Sequence, residues 1–297
     1  MTRRAPWCNL RAMVELTGES PAKINLTLRV GARRPDGFHE IESLVARVGL
    51  CDTVSVAPRA DGRLTLECDD PAIPCDETNL ALRAARLLAD QTRVRNGAHI
   101  SLKKRIPAGS GLGGGSSNAA TVLMLLDDLW QLRLARDELA GIGAQIGSDV
   151  PLFFHSPLCV VRGRGEQIED VNRRFKGWVV LILPDLHVST REVYATWDRA
   201  GPSPARPAME HVLAAAGGTS TLGPLLFNDL EVAAFQVNPE LAELVARLRR
   251  DQHEPVHMTG SGSAFFQLSD EAGPAREAAG RIARALGVHV EVVPLGD

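Results

Sequence analysis

Between Lys103 and Leu126 the chain reads KKRIPAGSGLGGGSSNAATVLMLL, with five glycines from position 109 to 115, then two serines and an apolar run. So many glycines are costly in backbone entropy and do not suit a packed element. Placed directly before a helix, they suit an anion. Backbone N–H groups and the positive end of the helix dipole face it, and the missing side chains let phosphate oxygens come close. Ser116 and Ser117 add hydroxyls able to bond phosphate or ligate Mg²⁺. Two stricter motifs compete. The pattern G-x-x-x-x-G-K-[ST] fails, because no lysine precedes Ser116. The dinucleotide pattern G-x-G-x-x-G is met by Gly109, Gly111 and Gly114, but SLKKRIP before it is half polar and ends in proline, unlike a continuous apolar parallel strand.

Two further side chains could do chemistry. Lysine is scarce here, occurring only at 23, 103, 104 and 176, so Lys23 in PAKINL stands out. Asn25 lies two positions on and shares its face of a strand. Asp149 in GSDVP could accept a proton. On local sequence alone Asp149 reads first as a helix-cap acid, and Lys23 as a solvated outward strand residue.

The elements that must position them follow from periodicity. Alternation around Ile24, Leu26, Leu28 and Val30 predicts a strand, and Pro35-Asp36-Gly37 a turn before a strand-rich segment reaching Arg59. GRLTLECD and AHISLKKRIP alternate as strands. Leu80, Ala84, Leu87 and Leu88 have helical spacing, with Asp76 or Thr78 as N-cap. Ala119, Val122, Leu123, Leu126, Leu129 and Trp130 predict a buried helix behind the glycines. Another helix spans Arg136 to Ile146 and ends at Gly147, with Ser148 as the next cap and Pro151 in a first turn. LCVVRG and GWVVLILP follow as strands, then the helix TREVYATWDRA. The segment 200–224 is expected to connect elements near the substrate mouth. Residues 255–286 read as strand–turn–helix, and HVEVVPL closes the chain as a strand. The fold class is α+β, with domains at 14–165 and 175–297 joined near Gly165 to Lys176 and a disordered extension at 1–13.

Composition narrows the function classes. A chain of 297 residues with 44% hydrophobic and 23% charged content is an ordinary globular protein, and its net charge of −3 gives no reason to expect nucleic acid or an anionic membrane as partner. Five scattered cysteines without a C-x-x-C pair fit a reduced cytoplasmic compartment better than a disulfide framework or zinc site. Oligomeric state is left open.

IPAGSGLGGGSSNAA resembles the phosphate-binding motif of the galactokinase–homoserine kinase–mevalonate kinase–phosphomevalonate kinase superfamily. With SPAKINLTLRVGARRPDGFHEIESL, IGSDVPLFF, NDLE and MTGSGSAFF in the same order, the chain resembles that superfamily's 4-diphosphocytidyl-2-C-methyl-D-erythritol kinase family. The resemblance implies a ribosomal-protein-S5-like N-terminal domain and a ferredoxin-like C-terminal domain, with the active site between them. It implies transfer of the γ-phosphoryl group of ATP, with Mg²⁺, to the 2-hydroxyl of a substrate carrying cytidine diphosphate, in the non-mevalonate isoprenoid pathway. Asp149 matches the family's base and Lys23 its electrostatic partner. Pro107, Gly109, Ser110, Gly111, Leu112, Gly113, Gly114, Gly115, Ser116 and Ser117 would hold ATP phosphates, with Asn79 and Lys104 near the adenine. Asn25 would orient the substrate. Phe38 and Tyr194 would stack on either side of the cytosine, and His39 would read its edge. No residue is assigned as a dedicated metal ligand, and Glu166 in GRGE reads as a turn residue.

Overall fold

The computed structural model describes residues 15–173, 175–201, 204–250 and 255–296, so the extension expected at 1–13 lies outside it. The first half folds as the alternation predicts. Strands β1 (Leu16–Asn25), β2 (Thr27–Arg33), β3 (His39–Arg59), β4 (Leu64–Cys68) and β5 (Gly97–Lys103) form one sheet with β6 (Leu158–Gly163) and β7 (Gln167–Asp170). β3 is its spine and pairs antiparallel with β1, β2, β5 and β6. On β3 every even position from Leu44 to Val56 is buried, as a half-covered strand requires, and Asp52 is one of them. Helices α1 (Leu80–Thr92), α2 (Gly114–Trp130) and α3 (Arg136–Ala144) cover the inner face, where Leu88, Val122, Leu123 and Leu126 pack against Val54, Val56 and Ile100.

The second half contains β8 (Trp178–Leu183), α4 (Thr190–Ala200), α5 (Met209–Ala215), α6 (Thr219–Leu222), β9 (Phe227–Asn228), α7 (Glu231–Val237), α8 (Pro239–Arg250), β10 (His257–Met258), β11 (Phe265–Ser269), α9 (Ala272–Leu286) and β12 (His289–Pro294). Its antiparallel sheet has the order β10-β11-β8-β12. The strand–turn–helix reading of 255–286 is corrected by a hairpin, β10–turn–β11, before α9. The apolar run FFQL lacks clear alternation, and only its pairing with β8 fixes it as a strand.

The two halves are not separately packed. β9 adds to the first sheet through Thr27↔Phe227, and β7 extends that sheet through the stretch expected to connect the domains. Ala22, Ile24 and Leu44 share one apolar cluster with Val179, Leu181 and Phe266. The segment 200–224 is more than a connection: Met209, Val212, Ala216 and Leu222 enter the same cluster.

Candidate active site

The residues singled out for chemistry converge on a cleft of about 640 Å³, whose walls include Lys23, Asn25, Asn79, Lys104, the loop Pro107–Ser116, Asp149 and Tyr194. The glycine loop arches from β5 into α2. Gly113 is the N-cap of α2, with φ +72° and no side-chain cap, so the first-turn N–H groups have no side-chain acceptor. Glycine is required twice for close approach. At Gly111 (φ +82°) a Cβ would stand 2.6 Å from the Thr259 carbonyl oxygen, and at Gly113 it would stand 3.0 Å from Lys23 Cγ. The arch is tied down by its own polar groups: Ser110 Oγ donates to the Pro107 carbonyl at 2.8 Å, and Ala264 N donates to the Ser110 carbonyl at 3.1 Å.

Not every residue of the motif faces the cleft. Gly114, Gly115, Ser116 and Ser117 already belong to the first turn of α2, and Ser116 lines the cleft. Ser117 does not. Its side chain is fully buried, and its hydroxyl accepts a hydrogen bond from Ser20 at 2.8 Å, which takes it away from the phosphate role expected of it. Leu112 is buried too, and its carbonyl accepts from Lys23 N at 2.9 Å.

Lys23 and Asn25 do share one face of β1. Lys23 Nζ donates to Asn25 Oδ1 at 2.8 Å and lies 3.6 Å from Asp149 Oδ2. Asn25 is held in turn, donating from Nδ2 to Ser43 Oγ at 2.8 Å and from its backbone to Thr259 Oγ1 at 2.9 Å. The Lys23 side chain is 8% exposed and that of Asp149 46%, so the cation is fixed from behind while the carboxylate opens on the cleft. An outward, solvated Lys23 is thereby excluded. The turn carrying Asp149 differs in detail from expectation. α3 stops at Ala144 with Gln145 as C-cap, not at Gly147, and Val150 rather than Ser148 caps the short 3₁₀ turn that opens at Pro151.

The other end of the site is built differently. His39 is buried and its ring stacks on Tyr194 with centroids 5.1 Å apart, while Nε2 lies 2.7 Å from Asp198 Oδ1. A carboxylate only accepts, so Nε2 carries the hydrogen of that bond. Tyr194 therefore rests on His39 instead of standing clear as one wall of a slot. Burial, aided by the charge of Asp149, pushes the Tyr194 hydroxyl up to about 12. Phe38 is 48% exposed, with the Arg164 guanidinium 5.2 Å over its ring. Neither Phe38 nor His39 lines the cleft itself.

Asn79 and Lys104 reach the cleft, each already engaged. Asn79, not Asp76 or Thr78, is the N-cap of α1: it accepts from Ala81 N at 2.9 Å and donates to the Pro74 carbonyl at 2.8 Å. Asp76 instead accepts from the Thr78 backbone and hydroxyl. Lys104 is paired with Asp52 and bonds Asn118 Oδ1 at 3.0 Å. Glu166 caps its own turn, accepting from Arg164 N at 2.7 Å. Sequence reasoning missed Asp52, Asn118, Ser43 and Asp198. Only Asp52 left a signal, as a carboxylate at an inward position of an alternating strand.

Residues 79–156 match the GHMP kinases N terminal domain. The chain is 39% identical over 257 residues to 4-diphosphocytidyl-2-C-methyl-D-erythritol kinase of Brevibacillus brevis, covering 86% of this chain and 88% of that one. Its counterpart in Kineococcus radiotolerans is 38% identical over 277 residues, covering 90% and 85%. A crystal structure of 4-(cytidine 5'-diphospho)-2C-methyl-D-erythritol kinase superposes with a TM-score of 0.79 at 35% identity, over 95% of this chain and all of that one. A homoserine kinase structure at 16% identity and TM-score 0.70 shares the fold. With its fold, its glycine arch and its Lys23–Asp149 pair in place, the chain belongs to the 4-diphosphocytidyl-2-C-methyl-D-erythritol kinase family of the GHMP kinases.

Proposed function

We propose that this protein uses ATP to phosphorylate the 2-hydroxyl of 4-diphosphocytidyl-2-C-methyl-D-erythritol, in the cytoplasm, as a step of the non-mevalonate isoprenoid pathway. The observation that carries the reading is the Lys23–Asp149 pair opening on the same cleft as the uncapped first turn of α2. Phosphoryl transfer asks a protein mainly for positioning and charge neutralisation. The first-turn N–H groups and the dipole of α2 hold the ATP phosphates. Asp149 accepts the proton of the substrate hydroxyl as its oxygen attacks the γ-phosphorus. The bond from that phosphorus to the bridging oxygen breaks, and ADP leaves. Lys23 stabilises the negative charge growing on the attacking oxygen, and Asn25 keeps the ammonium aimed.

Among the described residues Asp149 is the only acidic side chain lining the cleft, and Ser116 adds a hydroxyl. Among the described residues no three His, Cys, Asp or Glu side chains gather as a metal site. That donor set fits Mg²⁺, which binds through one or two carboxylates plus substrate phosphates and water, and which when bound would neutralise phosphate charge. At the cytidine end Phe38 and Tyr194 supply aromatic surface. With Nε2 of His39 turned to Asp198, Nδ1 is the ring nitrogen left to meet the cytosine edge.

The test is product identification by ³¹P NMR after incubation with ATP, Mg²⁺ and the cytidyl substrate. One new phosphomonoester coupled to no proton, as expected at a quaternary carbon, together with ADP, is the expected result. A phosphate on another hydroxyl, or none, overturns the reading.

A further inference from the structure

The strongest polar construction near the cleft lies behind it. Asp52 on β3 is fully buried, yet its carboxylate has four donors. Oδ1 accepts from Arg105 N at 2.7 Å and Ile106 N at 2.9 Å. Oδ2 accepts from Asn118 Nδ2 at 2.9 Å and is paired with Lys104 Nζ. Arg105 and Ile106 lead into the glycine arch, and Asn118 sits in α2 just past it. One carboxylate thus grips both shores of the loop. Asn118 Nδ2 also donates to Ser20 Oγ at 2.9 Å, and Ser20 to Ser117, tying β1 to the same knot.

Stability alone accounts poorly for such a group. A buried ion pair often contributes no more than a well-packed apolar substitute, because desolvation offsets the attraction. A glycine-rich arch, by contrast, has much freedom to lose, and fixing its ends removes part of that cost before a ligand arrives. The lysine matters as well. Among the described residues Lys23 and Lys104 are the only cationic side chains lining the cleft, and Lys23 stands beside Asp149. Lys104 Nζ lies 3.4 Å from the point where a Cβ on Gly114 would be, at the mouth of α2. An ammonium has three hydrogens, and Asp52 and Asn118 accept two, leaving one for a phosphate oxygen.

We propose that Asp52 is a positioning residue for the nucleotide. It holds the two ends of the phosphate arch at a fixed separation and presents Lys104, expected near the adenine, to the triphosphate from its place at the mouth of α2. The proposal rests on the reading of this cleft as the ATP site and deepens it.

The experiment compares D52N, D52A and N118A with the unaltered chain, measuring KM for ATP and for the cytidyl substrate, kcat, and Tm. Binding of a fluorescent ATP analogue is measured in parallel. D52N keeps an oxygen for the two backbone N–H groups but loses the charge that holds Lys104. It should raise KM for ATP about ten-fold, the loss of one charge-assisted hydrogen bond, with KM for the cytidyl substrate unmoved. D52A should be worse than D52N. If D52A does not fold, N118A tests the same grip from the helix side and should move KM for ATP in the same direction. A fall in Tm with both KM values unchanged in the folded variants would make Asp52 a purely structural residue and overturn the inference. Failure of the unaltered chain to bind the analogue would instead overturn the ATP reading beneath it.

Discussion

The two ends of the cleft are built on opposite plans. At the phosphate end both lysines and Asn25 are held by other side chains: Lys23 by Asn25, Asn25 by Ser43 at its amide and Thr259 at its backbone, Lys104 by Asp52 and Asn118. At the proposed base end, beside the cleft, Phe38 stands half in solvent under Arg164, and Tyr194 lies on His39, which Asp198 holds. One end is assembled before any ligand arrives, while the other must separate Tyr194 from His39 or take the base on a remaining aromatic face. The difference follows from the chemistry. Charge developing during transfer is stabilised best by dipoles that need no reorganisation, whereas a flat base gains its affinity from surfaces that close over it.

Breaking the preassembled end should cost most. Asp149→Ala is expected to lower kcat by ~10²–10⁴-fold, the usual worth of a positioned base, with ATP binding retained in an analogue-binding assay. Retained turnover would remove Asp149 from that role. At the proposed base end His39→Ala should leave kcat and KM for ATP in place and raise KM for the cytidyl substrate, by ~5–150-fold if an edge contact is worth ~1–3 kcal/mol. Equal effects on both KM values would move His39 out of the pocket. Phe38→Ala should raise the same KM about ten-fold through lost stacking, while Phe38→Tyr should not. The smallest effect concerns stability. The folded-state pKa of Tyr194 is raised to about 12 from an ordinary value of 10, so its contribution is fully present below pH 10. It is lost as pH rises from 10 to 12, where the unfolded chain gives up the proton first. Tyr194→Phe should flatten the fall in Tm over that window, and an unchanged alkaline slope would contradict the burial ascribed to the hydroxyl.

What was legible in the sequence follows the range of the interactions involved. The glycine arch, the strand pairing Lys23 with Asn25 and the apolar face of α2 are local patterns, and the structure keeps them. Asp52 shows what local patterns lack. Its inward position could be read from Leu50, Asp52 and Val54, but its meaning comes from Asn118, 66 residues away. Ser117 was placed beside the phosphates because it follows glycines, whereas its burial depends on Ser20, 97 residues earlier. The misplaced caps at Thr78 and Gly147 are errors of one and two residues: Asn79 takes the free Ala81 N–H at the start of α1, and the Gln145 backbone N–H closes α3 on the Ile142 and Gly143 carbonyls. β11 was missed for the same long-range reason, since its identity comes from β8.

The most direct test of the central claim is ADP release by the purified protein with ATP and Mg²⁺. 4-Diphosphocytidyl-2-C-methyl-D-erythritol, homoserine and mevalonate are offered separately, to the unaltered chain and to Asp149→Ala. Turnover with the cytidyl substrate alone, lost in the variant, is the predicted result. Turnover with homoserine or mevalonate, or turnover that survives in Asp149→Ala, would contradict the account.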